Sequence, residues 1–145
     1  MSSIIIFKTS GDETMKRLLN DLGDGHDIDC LISSNQIEKY RSLYPKICFI
    51  DIQQDGFFEW KSEVFECVTE CVTQKTYDRL YVTLTGQTGY HFGNVMQMVR
   101  RINSRYSCFY NSKGEELVIP PKQIFRDGFW RVYIMMMNWW YRKRR

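Results

Sequence analysis

The sequence predicts a single Rossmann-like α/β domain, with a mainly parallel sheet of about five to six strands and helices on both faces. Short β-branched runs alternate with longer stretches in which apolar residues recur at helical spacing. The length of 145 residues and the 43% hydrophobic content suit one domain with its own core. We assign residues 1–119 to this core and residues 120–145 to a C-terminal extension that forms an aromatic helix.

The first half of the chain alternates strands with helices. Strands are predicted at residues 4–7, 28–32 and 46–52, and helices at 13–22, 37–44 and 57–72. Asp12 is placed to cap the first helix, and Gly23 is placed to end it. Pro45 ends the second helix, because proline cannot continue one.

The second half continues the same alternation and ends in a hairpin and a helix. Strands are predicted at residues 80–85, 106–110 and 116–119, and helices at 92–102 and 129–141. A glycine-rich loop separates the first of these strands from its helix. The last two strands flank a polar turn, which indicates a hairpin.

The charge pattern argues against a surface that coats nucleic acid. The formal net charge is only +3, and residues 142–145 are all basic, so the rest of the chain is close to neutral. A surface that binds long nucleic acid neutralises many phosphates, and we therefore expect no such partner. A small anionic ligand is compatible with this charge, because it needs only local amides and a few cations.

Cysteine usage and the N-terminal sequence indicate a cytoplasmic protein. The five cysteines are an odd number without a regular framework, unlike a secreted disulfide scaffold. We expect Cys30, Cys48 and Cys108, in apolar strand-like runs, to be buried thiols. Cys67 and Cys71 lie one helical turn apart without a second ligand pair, so we expect no metal site. No signal peptide and no run of about 18 apolar residues is present, so we expect no membrane partner.

Four short polar loops follow the strands at one edge of the predicted sheet. In sheets of this class, ligands bind outside the carboxyl ends of the strands. We expect the ligand site where these loops meet. The candidate ligand-binding residues are Thr9, Ser10, Gly11, Ser33, Asn35, Asp51, Gln53, Thr85, Gly86, Gln87, Thr88 and Gly89.

The loop after the fourth strand suits an anion best. Gly86, Gly89 and Gly93 let the backbone turn sharply, and the free amides of the next helix point outward with the helix dipole behind them. His91 adds a proton donor or a base. The loop lacks the Gly-Lys-Ser/Thr ending of a Walker A motif, and the dinucleotide fingerprint belongs after the first strand. The alternative interpretation is a tight turn with a structural histidine.

One segment of the chain, residues 83–89, reads Thr-Leu-Thr-Gly-Gln-Thr-Gly. It is followed by the predicted helix, by the strand at 106–110 and by Gly-Glu-Glu-Leu at 114–117. This series of elements resembles the CRISPR-associated Rossmann fold (CARF) domain family. The order of elements is similar over residues 4–119. The resemblance implies a homodimer that binds a cyclic oligoadenylate second messenger across its two-fold axis, in type III CRISPR antiviral signalling. We expect a stand-alone member, which is either a ring nuclease or a sensor without catalysis.

The resemblance also implies how a ring nuclease of this kind works. Without a metal or cofactor, the ribose 2′-hydroxyl attacks the adjacent phosphate and leaves a cyclic phosphate, which demands geometry and charge stabilisation. Ser10, Thr88 and His91 are the catalytic candidates.

The chain departs from the family pattern in the glycine loop. Gly89 stands where the family has a lysine, and Gln87 stands where it has a second glycine. The developing negative charge therefore needs another cation, which Lys8, Lys39, Arg41 or His91 can supply.

The extension at residues 129–145 has apolar groups facing nearly every direction of a helix. We favour a final helix packed on the sheet. A dimer-forming helix, a membrane-surface helix and a stacking platform for single-stranded nucleic acid are the alternatives. Two other functions stay open: a non-catalytic interaction module that uses this helix, and a Rossmann-like enzyme acting on another phosphorylated small molecule.

Overall fold

The structure is a computed structural model of the chain. It describes residues 2–9, 11–53, 70, 72, 74–84, 99, 101–118, 132, 136, 139, 140 and 143. The predicted glycine loop, most of the predicted helices at 57–72 and 92–102 and most of the C-terminal extension lie outside these residues.

Six strands and two helices are described. The strands are β1 (Ser2–Lys8), β2 (His26–Ile32), β3 (Cys48–Asp51), β4 (Thr76–Thr83), β5 (Asn103–Tyr110) and β6 (Glu116–Val118). The helices are α1 (Asp12–Leu22) and α2 (Ile37–Leu43), and a 3₁₀ turn (Ser34–Gln36) leads into α2. Within the described residues, no helix has the length and apolar character that crossing a membrane requires.

The strands form one sheet in the order β3-β2-β1-β4-β5-β6. The first five pair in parallel, and β6 pairs antiparallel with β5. β1 lies between β2 and β4, so the chain first builds the sheet on one side of β1 and then returns to build it on the other. This reversal makes the space beyond the carboxyl ends of β1 and β4 the switch point of the sheet, where ligands bind in this class of fold.

Apolar clusters cover both faces of the sheet. Ile4 and Ile6 pack with residues of α1 and α2 on one face. Ile5 and Phe7 pack on the other face, in a cluster that includes the helical residue Val99. Because β1 is buried on both faces, its sequence is a continuous apolar run rather than an alternating one. The predicted mainly parallel α/β sheet is confirmed.

Some boundaries differ from the sequence prediction. Asp12 is the first residue of α1 rather than its cap, because Gly11 has the extended backbone of the N-cap position. Gly23 ends the helix as predicted, with a φ of 69°. β4 extends from Thr76 to Thr83, so it begins four residues earlier than predicted. The sequence around Thr76 is polar, and pairing with β5 extends the strand where apolar periodicity does not indicate one.

One cysteine prediction is wrong. Cys30 and Cys108 are buried free thiols, as predicted, but Cys48 is exposed. Cys48 is the first residue of β3, an edge strand with a neighbour on only one side. An edge position leaves a strand end open to solvent even where its sequence is apolar.

Candidate functional site

The carboxyl edge of the sheet gathers the loops that the sequence predicts to bind a ligand. β3, β2, β1 and β4 are consecutive neighbours and run in parallel, so the chain leaves all four at the same edge. Of the candidate residues, the structure describes the following there: Thr9, Gly11, Ser33, Asn35, Asp51 and Gln53. Ser10, Thr85, Gly86, Gln87, Thr88, Gly89 and His91 lie outside the described residues.

Thr9 and Thr83 join the ends of β1 and β4 at the switch point. The Thr9 amide donates to Thr83 Oγ1 at 3.2 Å, and the Thr9 hydroxyl donates to the Thr83 carbonyl oxygen. Thr83 Oγ1 in turn donates to the Phe7 carbonyl oxygen at 3.4 Å. Thr83 is fully buried, so this network fixes the end of β4 beside Thr9, the first residue after β1.

A buried lysine, Lys8, is the last residue of β1 and precedes Thr9 in the chain. The Lys8 side chain is only 1% exposed. Its ammonium donates to Gln36 Oε1 at 2.8 Å, lies 3.8 Å from Asp12 Oδ1 and lies 4.9 Å from the centre of the Tyr40 ring. Burial lowers the pKa of Lys8, and the neighbouring Asp12 carboxylate opposes that shift. The ammonium is thus held by groups from three elements, at the end of β1 and next to the space beyond the carboxyl ends of β1 and β4, which we call the crevice.

Asp12 connects the buried lysine to the surface. Its carboxylate accepts hydrogen bonds from the Lys39 ammonium and the Tyr40 hydroxyl. These two donors, with Lys39 first, lower the pKa of Asp12. Asp12 is half exposed and Lys39 is 57% exposed, so an ion pair at the start of α1 faces solvent at the edge of the crevice.

The loops after β2 and β3 form a second hydrogen-bond network. Asp51 Oδ1 accepts from the Ser34 hydroxyl at 2.6 Å and from the Gln53 amide at 2.7 Å. Gln53 has a φ of 57°, a backbone conformation that residues other than glycine adopt rarely. The Ser33 hydroxyl donates to Asn35 Oδ1 at 3.0 Å. These contacts order the far side of the crevice and present polar side chains along it.

Several residues that organise this edge are not among the site residues predicted from the sequence: Gln36, Tyr40 and Thr83. Lys8 is predicted only as one of several possible cations. A signal for Lys8 exists in the sequence: a lysine directly after the apolar run of β1, at the buried centre of the sheet. Gln36 and Tyr40 come from the turn before α2 and from α2, and no local pattern indicates that they reach Lys8.

A separate cavity lies at the opposite edge of the sheet. It has a volume of about 460 Å³ and lies between the end of α1, the start of β2 and the end of α2. His26 lines it, and His26 Nε2 is 3.0 Å from the Leu22 carbonyl oxygen. This cavity contains none of the predicted site residues, and it lies at the amino ends of the strands rather than at the switch point.

Comparison of the chain with protein-family models, with curated proteins and with solved structures gives no match. The site therefore rests on its geometry. The geometry places hydroxyl groups, a buried ammonium and an exposed ammonium at the carboxyl edge of the sheet. Hydroxyl and ammonium groups can donate hydrogen bonds to a polar or anionic ligand.

We expect Thr83→Val to lower the free energy of unfolding by about 1–3 kcal/mol, because the buried Phe7 carbonyl and the Thr9 amide lose their hydroxyl partner. Thr76→Val is the matched control, since Thr76 is the exposed first residue of the same strand and should change stability by less than about 0.5 kcal/mol. Urea unfolding of both variants measures the difference. Equal effects at the two threonines would contradict the role of Thr83.

We expect the pKa of Lys8 to lie below the ordinary lysine value of about 10.4. An NMR titration of the lysine ε-carbons measures this, with Lys8→Met identifying the signal. Asp12→Asn should lower the pKa of Lys8 further, because it removes the negative charge that supports the ammonium. A Lys8 pKa that rises in Asp12→Asn would sink this account.

The same shift predicts a pH dependence of stability. The pKa of Lys8 is lower in the folded state than in the unfolded state, so burying the charged ammonium costs folding free energy at neutral pH. This cost disappears as the pH rises from the pKa in the folded state to the pKa in the unfolded state. Over that window Lys8 therefore makes the protein more stable as the pH rises, and Lys8→Met should lack this contribution.

Proposed function

We propose that the protein binds a cyclic oligoadenylate at the carboxyl edge of its sheet, as a homodimer of CARF-like domains in type III CRISPR antiviral signalling. The observation that carries the proposal is the junction of β1 and β4. The motif at residues 83–89 begins at the switch point, held beside Thr9 by the Thr83 hydrogen bonds. A ligand loop after β1 and a glycine loop after β4 are the two loops that the family resemblance implies.

The positive charges at this edge favour the binding of an anionic ligand, which would contact the solvent-exposed side chains. Lys8 supplies a buried positive charge beneath the crevice, and Lys39 supplies an exposed one at its edge. The Asp12 carboxylate already occupies the start of α1, where a free helix terminus would otherwise attract a phosphate. A phosphate is therefore better accommodated toward β4 and its glycine loop. Among the described lysines and arginine considered as the cation, Lys39 and Arg41 are exposed and Lys8 is buried.

Cleavage of the ring is the further part of the proposal. In that step the ribose 2′-hydroxyl gives up its proton to a base and its oxygen forms a bond to phosphorus. The bond from phosphorus to the 5′-oxygen breaks, and the 5′-oxygen takes up a proton, so no net proton is gained or lost. The product is a linear oligoadenylate that ends in a 2′,3′-cyclic phosphate. The candidates for positioning and proton transfer stay Ser10, Thr88 and His91, and the step needs no metal.

The test combines binding with product analysis in the presence of EDTA. Cyclic oligoadenylates of several ring sizes are titrated into the protein, and the mixture is separated by chromatography. Saturable binding with linear products supports a ring nuclease, whereas saturable binding without products supports a sensor and overturns the cleavage step. The absence of binding to every ring size overturns the proposal.

Lys39→Ala should weaken the affinity for the ring about tenfold, because one charge-assisted contact contributes roughly 1.5 kcal/mol. Lys16→Ala is the matched control, since Lys16 is an exposed lysine on α1 outside this edge. Isothermal titration calorimetry on both variants measures the effect. Equal weakening by the two substitutions would indicate a general charge effect and would contradict a local site.

The other candidate, an enzyme acting on a different phosphorylated small molecule, uses the same edge of the sheet. A thermal-shift screen of nucleotides and sugar phosphates separates the two. Stabilisation by a linear nucleotide, and by no cyclic oligoadenylate, would favour this second function.

A further inference from the structure

The C-terminal extension exposes large apolar side chains. In the part of the chain that the structure describes, six large hydrophobic residues are exposed, and four of them lie in this extension: Val132, Met136, Trp139 and Trp140. Their exposed fractions run from 42% for Trp140 to 65% for Met136. Exposed tryptophans and methionines in one short segment indicate an interaction surface rather than scattered surface residues.

These four residues and Lys143 have helical backbone. At the α-helical rotation of about 100° per residue, the sequence spacing 132, 136, 139, 140 and 143 corresponds to an arc of roughly 100°. We call these five residues the aromatic–basic face.

The charge around this face is strongly positive. Residues 128–145 contain five basic residues and no acidic one, whereas residues 1–127 carry a net charge of −2. The Lys143 ammonium lies 4.1 Å from the centre of the Trp139 ring, so the cation and the aromatic ring are in direct cation–π contact. A partner must therefore accept both apolar side chains and positive charge.

These properties discriminate between the partners. A second copy would bring two segments of charge +5 together, which costs electrostatic energy. A nucleic acid satisfies the charge and can stack on tryptophan, but it offers nothing apolar to Val132 and Met136. An anionic lipid surface satisfies all three features: acyl chains take the apolar groups, the interface takes tryptophan, and the headgroups take the basic residues.

We propose that the aromatic–basic face binds the surface of an anionic lipid bilayer. The net negative charge of residues 1–127 favours an orientation in which the rest of the domain points away from the membrane. The proposal is independent of the ligand at the carboxyl edge of the sheet.

Flotation with vesicles tests the proposal on the full chain. Vesicles of phosphatidylcholine alone are compared with vesicles that also contain phosphatidylserine, at low and high salt. We expect binding to the mixed vesicles, weak binding to the neutral ones, and loss of binding as salt screens the headgroups. No flotation, or equal flotation with both vesicle types, overturns the proposal.

Substitutions on the face identify the contacts. Lys143→Glu should weaken binding to the anionic vesicles about thirtyfold, since it reverses one charge near the surface. A double change of Trp139→Ala and Trp140→Ala should abolish flotation. Leu43→Ala is the matched control, because Leu43 is an exposed apolar residue on α2 that lies outside the face, and it should bind as the original chain does. Circular dichroism confirms folding of each variant.

Two further outcomes overturn the proposal in favour of another partner. The first is a concentration-dependent dimer that the tryptophan substitutions abolish while lipid binding is absent, which assigns the face to a second copy. The second is saturable binding of a single-stranded oligonucleotide that depends on the same tryptophans, again without lipid binding.

Discussion

The pairing of β1 with β2 on one side and β4 on the other is the constraint on which the rest of the structure depends. This pairing buries β1 on both faces. It also means that β2 and β3 are added on one side of β1, and β4 and β5 on the other. The crevice at the carboxyl edge is a consequence of this arrangement. The Thr9 and Thr83 hydrogen bonds hold the end of β4 beside the end of β1.

The junction also explains why a charged residue is tolerated in the core. Lys8 continues the inward-facing pattern of Ile4 and Ile6, and its stem extends the cluster between the sheet, α1 and α2. Its ammonium reaches Gln36 and Asp12, which satisfies the charge at the point where the sheet ends. A buried cation is tolerated when it is hydrogen-bonded and paired with an opposite charge, as Lys8 is with Gln36 and Asp12.

Local pattern predicted most of the fold but only part of the site. The apolar run of β1, the helical spacing of α1 and the hairpin of β5 and β6 are properties of short segments, so the sequence reveals them directly. The hydrogen bond from Lys8 to Gln36 joins residues 28 positions apart, and Thr83 bonds to Thr9 across 74 positions. Such contacts depend on strand order, which a single sequence does not encode locally. Trp139 is exposed, and hydrophobic content alone does not predict which residues of an apolar segment face solvent.

The central claim is that the carboxyl edge of the sheet is the ligand site. Mapping of amide chemical shifts during titration with a cyclic oligoadenylate tests it most directly. The account predicts that the largest changes occur at Thr9, Gly11 and Ser33, around the ends of β1 and β2, and not at the cavity lined by His26 and Lys46. Changes concentrated at that opposite edge, or no changes at all, would contradict it.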